Sequence, residues 1–145
     1  MSVAHAASTI VDAPHDFVFA QLSDAGCLGR WALGSMDFRP AGQPGVHIGT
    51  SLFDGSESVV EIRPHPGHDT IDYLVGSLEE RVARVSIRVL AGTEWGLPPD
   101  SSIATMTTWR AAFMSDGRWE RTRITHELEV LLFKAQIEAN WKVAA

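Results

Sequence analysis

Between residues 45 and 113 apolar and polar side chains alternate in one short segment after another, and beyond residue 115 the period lengthens to that of a helix. The alternating segments are GVHIGTSLF (45–53), SVVEIRP (58–64), DTIDYLVG (69–76), RVARVSIRVL (81–90) and SIATMTTWRAAF (102–113). Their β-branched content and period of two predict strands. The connectors DGSE, HPGH, GSLEE and GTEWGLPPDS are turn-like, and they are shorter than the dozen or more residues that a parallel crossover needs. An antiparallel meander is therefore expected. With SMDFRP and an opening strand from Val3 to Val11, the sheet reaches about seven strands.

The two ends of the chain are helical. After Ser115-Asp116-Gly117, which reads as a start signal, RWERTRITHELEVLLFKAQIEANWK keeps a helical period to about Lys142; roughly 25 residues span about 37 Å at the helical rise. Near the N-terminus, STIVDAPHDFVFAQLSD passes from strand to helix almost without a link. Asp12 is a candidate cap, Pro14 suits the first turn, and Asp16 suits the positive end of the helix. SDAGCLGRW then breaks this helix and leads into a second short one that ends near Trp31.

Composition narrows the function classes. A chain of 145 residues that is 45% hydrophobic and 21% charged suits one domain, 1–145, able to bury a core without staples. Cys27 is the only cysteine; it excludes an internal disulfide and a thiolate metal site, and favours a reducing compartment. Its expected role is that of a small apolar side chain. The net charge of −6 and pI near 5.4 oppose binding to phosphate backbones, so nucleic acid is not an expected partner. No window approaches the roughly 20 apolar residues of a membrane span, and the first residues lack the pattern of a secretory signal. A soluble, cytoplasmic protein is expected.

Strand, two short helices, meander and long terminal helix, carried by IVDAPHDFVFAQLSD, by LGRW ending at Trp31 and by the C-terminal helix, resemble the START-like, or SRPBCC, helix-grip superfamily of polyketide cyclases and lipid-transport proteins. The resemblance covers essentially the whole chain and contains no catalytic signature. It implies an α+β helix-grip fold, with a curved antiparallel sheet of about seven strands around the C-terminal helix and the two short helices closing one end. It also implies a cavity between sheet and helix. Members bind sterols, lipids, polyketides, hormones or other apolar molecules, and a minority are enzymes.

Strand parity selects the side chains that would line such a cavity. Ile48, Leu52, Val60, Ile62, Ile71, Tyr73, Val85, Ile87, Val89, Trp109 and Phe113 form one apolar set, and His47, Glu61, Arg63, Asp72, Arg84, Arg88 and Arg110 are expected to face solvent. The set equally suits a filled core; the resemblance favours the cavity. On the terminal helix Ile124, Leu128, Leu131 and Ala135 form a stripe expected to face the sheet. Trp119, Val130, Phe133, Ile137 and Trp141 form a second stripe for the short helices or the strand ends, ahead of a homodimer interface, and Thr122, Thr125, Glu129, Gln136 and Asn140 form a polar face. The expected ligand-binding residues are Trp31, Ile48, Val60, Ile62, Tyr73, Ile87, Trp109, Phe113, Glu127, Leu128 and Leu131.

Three constellations carry possible chemistry. HPGHD holds His65, His68 and Asp69, but Pro66-Gly67 marks a tight turn, and no metal is expected there. THELE places His126 and Glu127 on the long helix, with Glu127 a candidate general acid or base; Arg121, Arg123 and Lys134 are close enough to hold it as an ion instead. TEWGLPPD is a lid or a rigid loop anchored by Trp95. Neither a phosphate loop nor a nucleophile elbow is present, and no cofactor is expected. Three readings stay open: a binder of hydrophobic small molecules, a metal-free cyclase or dehydratase, and a protein-interaction domain resembling the chaperone-activating branch. A cavity with a carboxylate of raised pKa favours the enzyme, and a filled interior with a large exposed patch favours protein contact. Both a monomer and a homodimer fit.

Overall fold

The computed structural model describes residues 2–145. Its elements run β1 (Ala4–Val11), α1 (His15–Ser23), α2 (Ala25–Trp31), β2 (Met36–Pro40), β3 (Val46–Thr50), β4 (Glu57–His65), β5 (Thr70–Gly76), β6 (Arg81–Ala91), β7 (Ser102–Trp109) and α3 (Asp116–Ala144). The strands form one seven-stranded antiparallel sheet in the order β1-β7-β6-β5-β4-β3-β2, curved around α3. The meander leaves β1 at one edge beside β7, where the two short helices carry the chain from one side of the sheet to the other. This is the expected α+β architecture.

Side-chain caps start two of the three α-helices among the described residues. Ser115 caps α3, its side chain accepting from the Arg118 N–H. Asp24 caps α2 in the same way through Cys27. Asp12 does not cap α1, whose N-cap is Pro14. Its own backbone N–H instead donates to Glu138 Oε2 at 2.7 Å, which ties the strand-to-helix corner to α3.

The core lies between the inner face of the sheet and one face of α3. Val60, Ile62, Ile71, Tyr73, Ile87, Val89, Ala104 and Met106 point inward from β4 to β7, and Val130, Phe133 and Ile137 meet them from α3. Trp31 stands edge-on to Phe133 at 5.1 Å and to Tyr73 at 6.4 Å. The Tyr73 hydroxyl donates to the Leu22 carbonyl at 2.7 Å, fastening α1 to the sheet. On β3, Gly49 is required by close approach: a Cβ there would lie 2.5 Å from the Phe38 ring.

The α3 wheel is the reverse of the expected one. Ile124, Leu128 and Leu131 are 62%, 48% and 58% exposed, whereas the Trp119, Val130, Phe133 and Ile137 stripe is buried against the sheet. Both stripes are apolar, so hydropathy alone does not choose between them. The buried stripe carries two large aromatic side chains, Trp119 and Phe133, and therefore removes more apolar surface from water.

Two strands also differ from the expected parity. On β7 the inward residues are Ser102, Ala104, Met106 and Thr108, while Trp109 faces outward opposite Ala4 of β1. The strand stops at Trp109, so Phe113 lies in the following loop, 66% exposed. The register with β6 sets the facing of β7, since Thr108, Met106 and Ala104 pair with Val85, Ile87 and Val89. On β3 the register pairs His47 with Val60, so His47 is the inward residue, stacked on Phe38 at 6.0 Å, and Ile48 faces outward beside Val59.

Candidate functional site

Beneath the N-terminal half of α3 the interior turns polar. His5 reaches in from β1, Thr108 from β7, and His126 and Glu129 from α3. The geometry of β6 adds a cation. Tyr73 pairs with Val85 and Leu74 with Ala83, so Arg84 is the extra residue of a β-bulge. It turns toward the start of α3, its guanidinium 5.5 Å from the Phe113 ring and in contact with Met114 Sδ. Expected to face solvent, Arg84 is re-aimed by the bulge, and burial lowers its pKa.

Glu129 is 5% exposed. Its Oε2 accepts the Leu33 backbone N–H at 2.7 Å, which gives the turn after α2 a partner on α3. Removal from water outweighs that bond and pushes its pKa up to about 8. His126, one turn earlier, is lowered to about 4, first by burial and then by the charges of His5 and Arg84. The His126 Nε2 to Glu129 Oε1 contact of 3.5 Å is therefore one between a neutral imidazole and a neutral carboxylic acid near pH 7, not an ion pair. The two adjacent groups have pKa values driven in opposite directions, so near neutrality the pair holds a proton on Glu129 beside an unprotonated imidazole.

Several buried polar atoms around this space have no hydrogen-bond partner among the described residues: Nδ1 of His5, Nδ1 of His126, Nε of Arg84 and Nε1 of Trp31. Each costs about 1–3 kcal/mol if left without water or ligand. The His5 ring is held by its other nitrogen, Nε2, 2.9 Å from Glu127 Oε1.

Of the residues expected at the site, Trp31, Val60, Ile62, Tyr73 and Ile87 come together in the interior. Ile48, Trp109, Phe113, Leu128 and Leu131 lie outside it, for the reasons of register, strand end and helix face given above. Glu127 is also outside, its side chain 61% exposed and paired with His5 rather than with an arginine or Lys134. The acid that the interior does hold, Glu129, was expected on the polar face. The signal for it was present: Glu129 is one turn before Phe133, hence on the buried side once that stripe is chosen.

The remaining constellations are structural in position. His65 Nε2 lies 3.1 Å from Asp72, and Asp69 Oδ1 lies 2.9 Å from His15 Nε2. Among the described residues no group of three or more His, Cys, Asp or Glu is placed to hold a metal ion. TEWGLPPD begins as a short 3-10 turn from which Trp95 projects 60% exposed, so this residue anchors nothing. A crevice of about 160 Å³ opens between α2 and the C-terminal half of α3, beside Cys27, Arg30, Trp31 and Asn140. Another of about 300 Å³, with Ile48 and Val59 in its wall, lies on the outer face of the sheet.

No family model matches the chain, and no curated protein does. Solved structures do. A START superfamily protein from Mycobacterium smegmatis superposes with a TM-score of 0.58 at 12% identity, over 99% of this chain and 100% of its own. The Aha1 dimer from Colwellia psychrerythraea gives 0.66 at 13% identity, over 94% and 97%. The di-domain ARO/CYC StfQ of the steffimycin biosynthetic pathway gives 0.63 at 14% identity, over 93% of this chain and 45% of that one. The protein thus has the START-like helix-grip fold. No helix among the described residues is long and apolar enough to cross a membrane.

Proposed function

We propose that the protein binds a flat, largely apolar small molecule bearing carbonyl or phenolic oxygens, of the aromatic or polyketide type, between α3 and the sheet. The observation that carries this reading is the set of buried, unpartnered polar atoms around His126 and Glu129. Pockets place a few convergent polar groups in an apolar wall, and this set has that character. Two of the four are fixed donors, the Arg84 Nε–H and the Trp31 Nε1–H, and the protonated Glu129 beside them adds a third proton to the site. It therefore suits acceptor oxygens. Trp31 and Phe133 fill the space next to it, so entry requires the Trp31 ring to swing toward the crevice beside α2. Known START-fold proteins include polyketide cyclases, and the likeness to one such di-domain protein agrees with this ligand class.

Titration with 1,8-dihydroxyanthraquinone tests it. Saturable quenching of tryptophan emission is expected, with affinity falling about 10-fold in Arg84→Met, the size of one lost hydrogen bond in a buried site. Absence of saturable quenching, or an unchanged affinity in Arg84→Met, would overturn the reading.

The His126–Glu129 couple favours a second reading on the same site, an enzyme of cyclase or dehydratase type. In it the neutral imidazole takes a proton from the substrate and the carboxylic acid supplies one to a developing alkoxide. Turnover would then follow a bell with limbs near pH 4 and 8. The packed aromatic interior and the exposed stripe on α3 support the third reading, a domain acting through protein contact. A failed titration would move that reading ahead.

A further inference from the structure

The solvent face of α3 carries an apolar seam that the fold leaves unused. Ile124, Leu128, Leu131 and Ala135 recur at steps of four, three and four residues, which is the spacing of a helix-to-helix seam. All are exposed. Continuing the seam by three residues reaches Arg121 at one end and Glu138 at the other, and along one flank Glu127 and Lys134 stand seven residues apart.

These charges select a partner and its direction. If a second α3 lies antiparallel with Leu128 against Leu131 of the second copy, the same register sets Ile124 against Ala135 of that copy. It also sets Arg121 against Glu138 of the second copy, and Glu127 beside its Lys134. Two-fold symmetry makes each pairing twice. A parallel pair in register would instead place arginine on arginine and glutamate on glutamate at the two ends of the seam. The groups keep capacity for the new bonds. Glu127 uses Oε1 for His5, Glu138 uses Oε2 for Asp12 and Lys134, and Lys134 gives two N–H bonds, to Ile10 O and Glu138. Among the described residues, one carboxylate oxygen on each glutamate and one N–H on the lysine have no other hydrogen bond and can cross the interface.

We infer that this face of α3 is the interface of a homodimer in which the α3 helices of two copies pack antiparallel in that register. The inference does not rest on the ligand reading. Sedimentation equilibrium is expected to show a reversible doubling of the 15.8 kDa mass with concentration. Leu128→Glu should raise the dissociation constant about 30-fold or more, as for a central interface residue. Glu127→Lys should weaken the dimer, and adding Lys134→Glu should restore it. Direction is read by disulfide trapping in a Cys27→Ser background: Ile124→Cys mixed with Ala135→Cys should cross-link faster than either alone. Circular dichroism checks that each variant is folded. A wild-type mass that stays at the monomer over the whole concentration range overturns the inference, and so does Ile124→Cys cross-linking fastest to itself.

Discussion

At the residue scale the outcome turns on which carboxylate of the long helix is buried. Glu127 and Glu129 are two positions apart, so they lie on opposite sides of α3; an inner Ile124 stripe puts Glu127 beside the sheet and Glu129 among the solvated residues, and the buried Phe133 stripe does the reverse. His126 was legible as a candidate because it neighbours either choice. Arg84 was not, since a bulge in β6 is set by pairing with β5 and leaves no mark in the alternation of one strand. Glu129→Gln tests the buried acid. Glutamine keeps an oxygen for the Leu33 N–H and removes the proton equilibrium, so the variant should match wild type near pH 4.5. Above that it should gain on wild type by about 1.4 kcal/mol per pH unit until pH 8, measured by urea unfolding at several pH values. A difference independent of pH would mean that Glu129 is ionised in the folded protein. Tyr73→Phe is expected to cost about 1–3 kcal/mol at every pH, because the buried Leu22 carbonyl loses its donor.

At the scale of elements, starts and periods were legible and facing was not. Ser115 followed by Asp116 marks the first turn of α3, and its cap to Arg118 forms as read; Ser115→Ala should cost about 1 kcal/mol in thermal unfolding. Facing depends on what lies opposite, which is a tertiary fact. The β7 segment illustrates this: its apolar residues Trp109 and Phe113 favour one inner face, yet Ser102, Ala104, Met106 and Thr108 are inward, paired with Ala91, Val89, Ile87 and Val85 of β6. The two α3 stripes can be told apart by stability. Phe133, fully buried, should cost about 3–5 kcal/mol when replaced by alanine. Leu131→Ala should change monomer unfolding by less than about 0.5 kcal/mol, measured at concentrations below any association. Equal costs would contradict the observed orientation of the helix.

At the scale of the whole molecule, topology was the most legible property, because short connectors leave an antiparallel meander few alternatives and the helical ends then have one concave face to occupy. The packed interior was not legible, since parity cannot tell a lined cavity from interlocked Trp31, Tyr73 and Phe133. That interior gives the folded protein an unusual dependence on pH. Glu129, raised from its usual 4.5 to about 8, holds a proton that the unfolded chain releases, so between those values stability falls as pH rises. His126, lowered from 6.5 to about 4, lacks a proton that the unfolded chain binds, so between those values stability rises with pH. From about 4.5 to 6.5 the two slopes offset each other. Above 6.5 the His126 contribution has ended and Glu129 continues to titrate between the two states, with an expected loss from this group of about 2 kcal/mol from pH 6.5 to 8. His15, whose burial is outweighed by Asp16 and Asp69 so that its pKa is raised, adds a loss in the same direction. Below about 4.5 the fold should weaken again, as Glu61, held low by hydrogen bonds from Arg81 and Arg63, gains its proton. Urea midpoints across pH 4 to 8.5 should therefore show a plateau on the acid side of neutrality and a decline through pH 7 and 8. Stability that rises from pH 6.5 to 8 would contradict a buried, protonated Glu129, and with it the donor-rich site under α3.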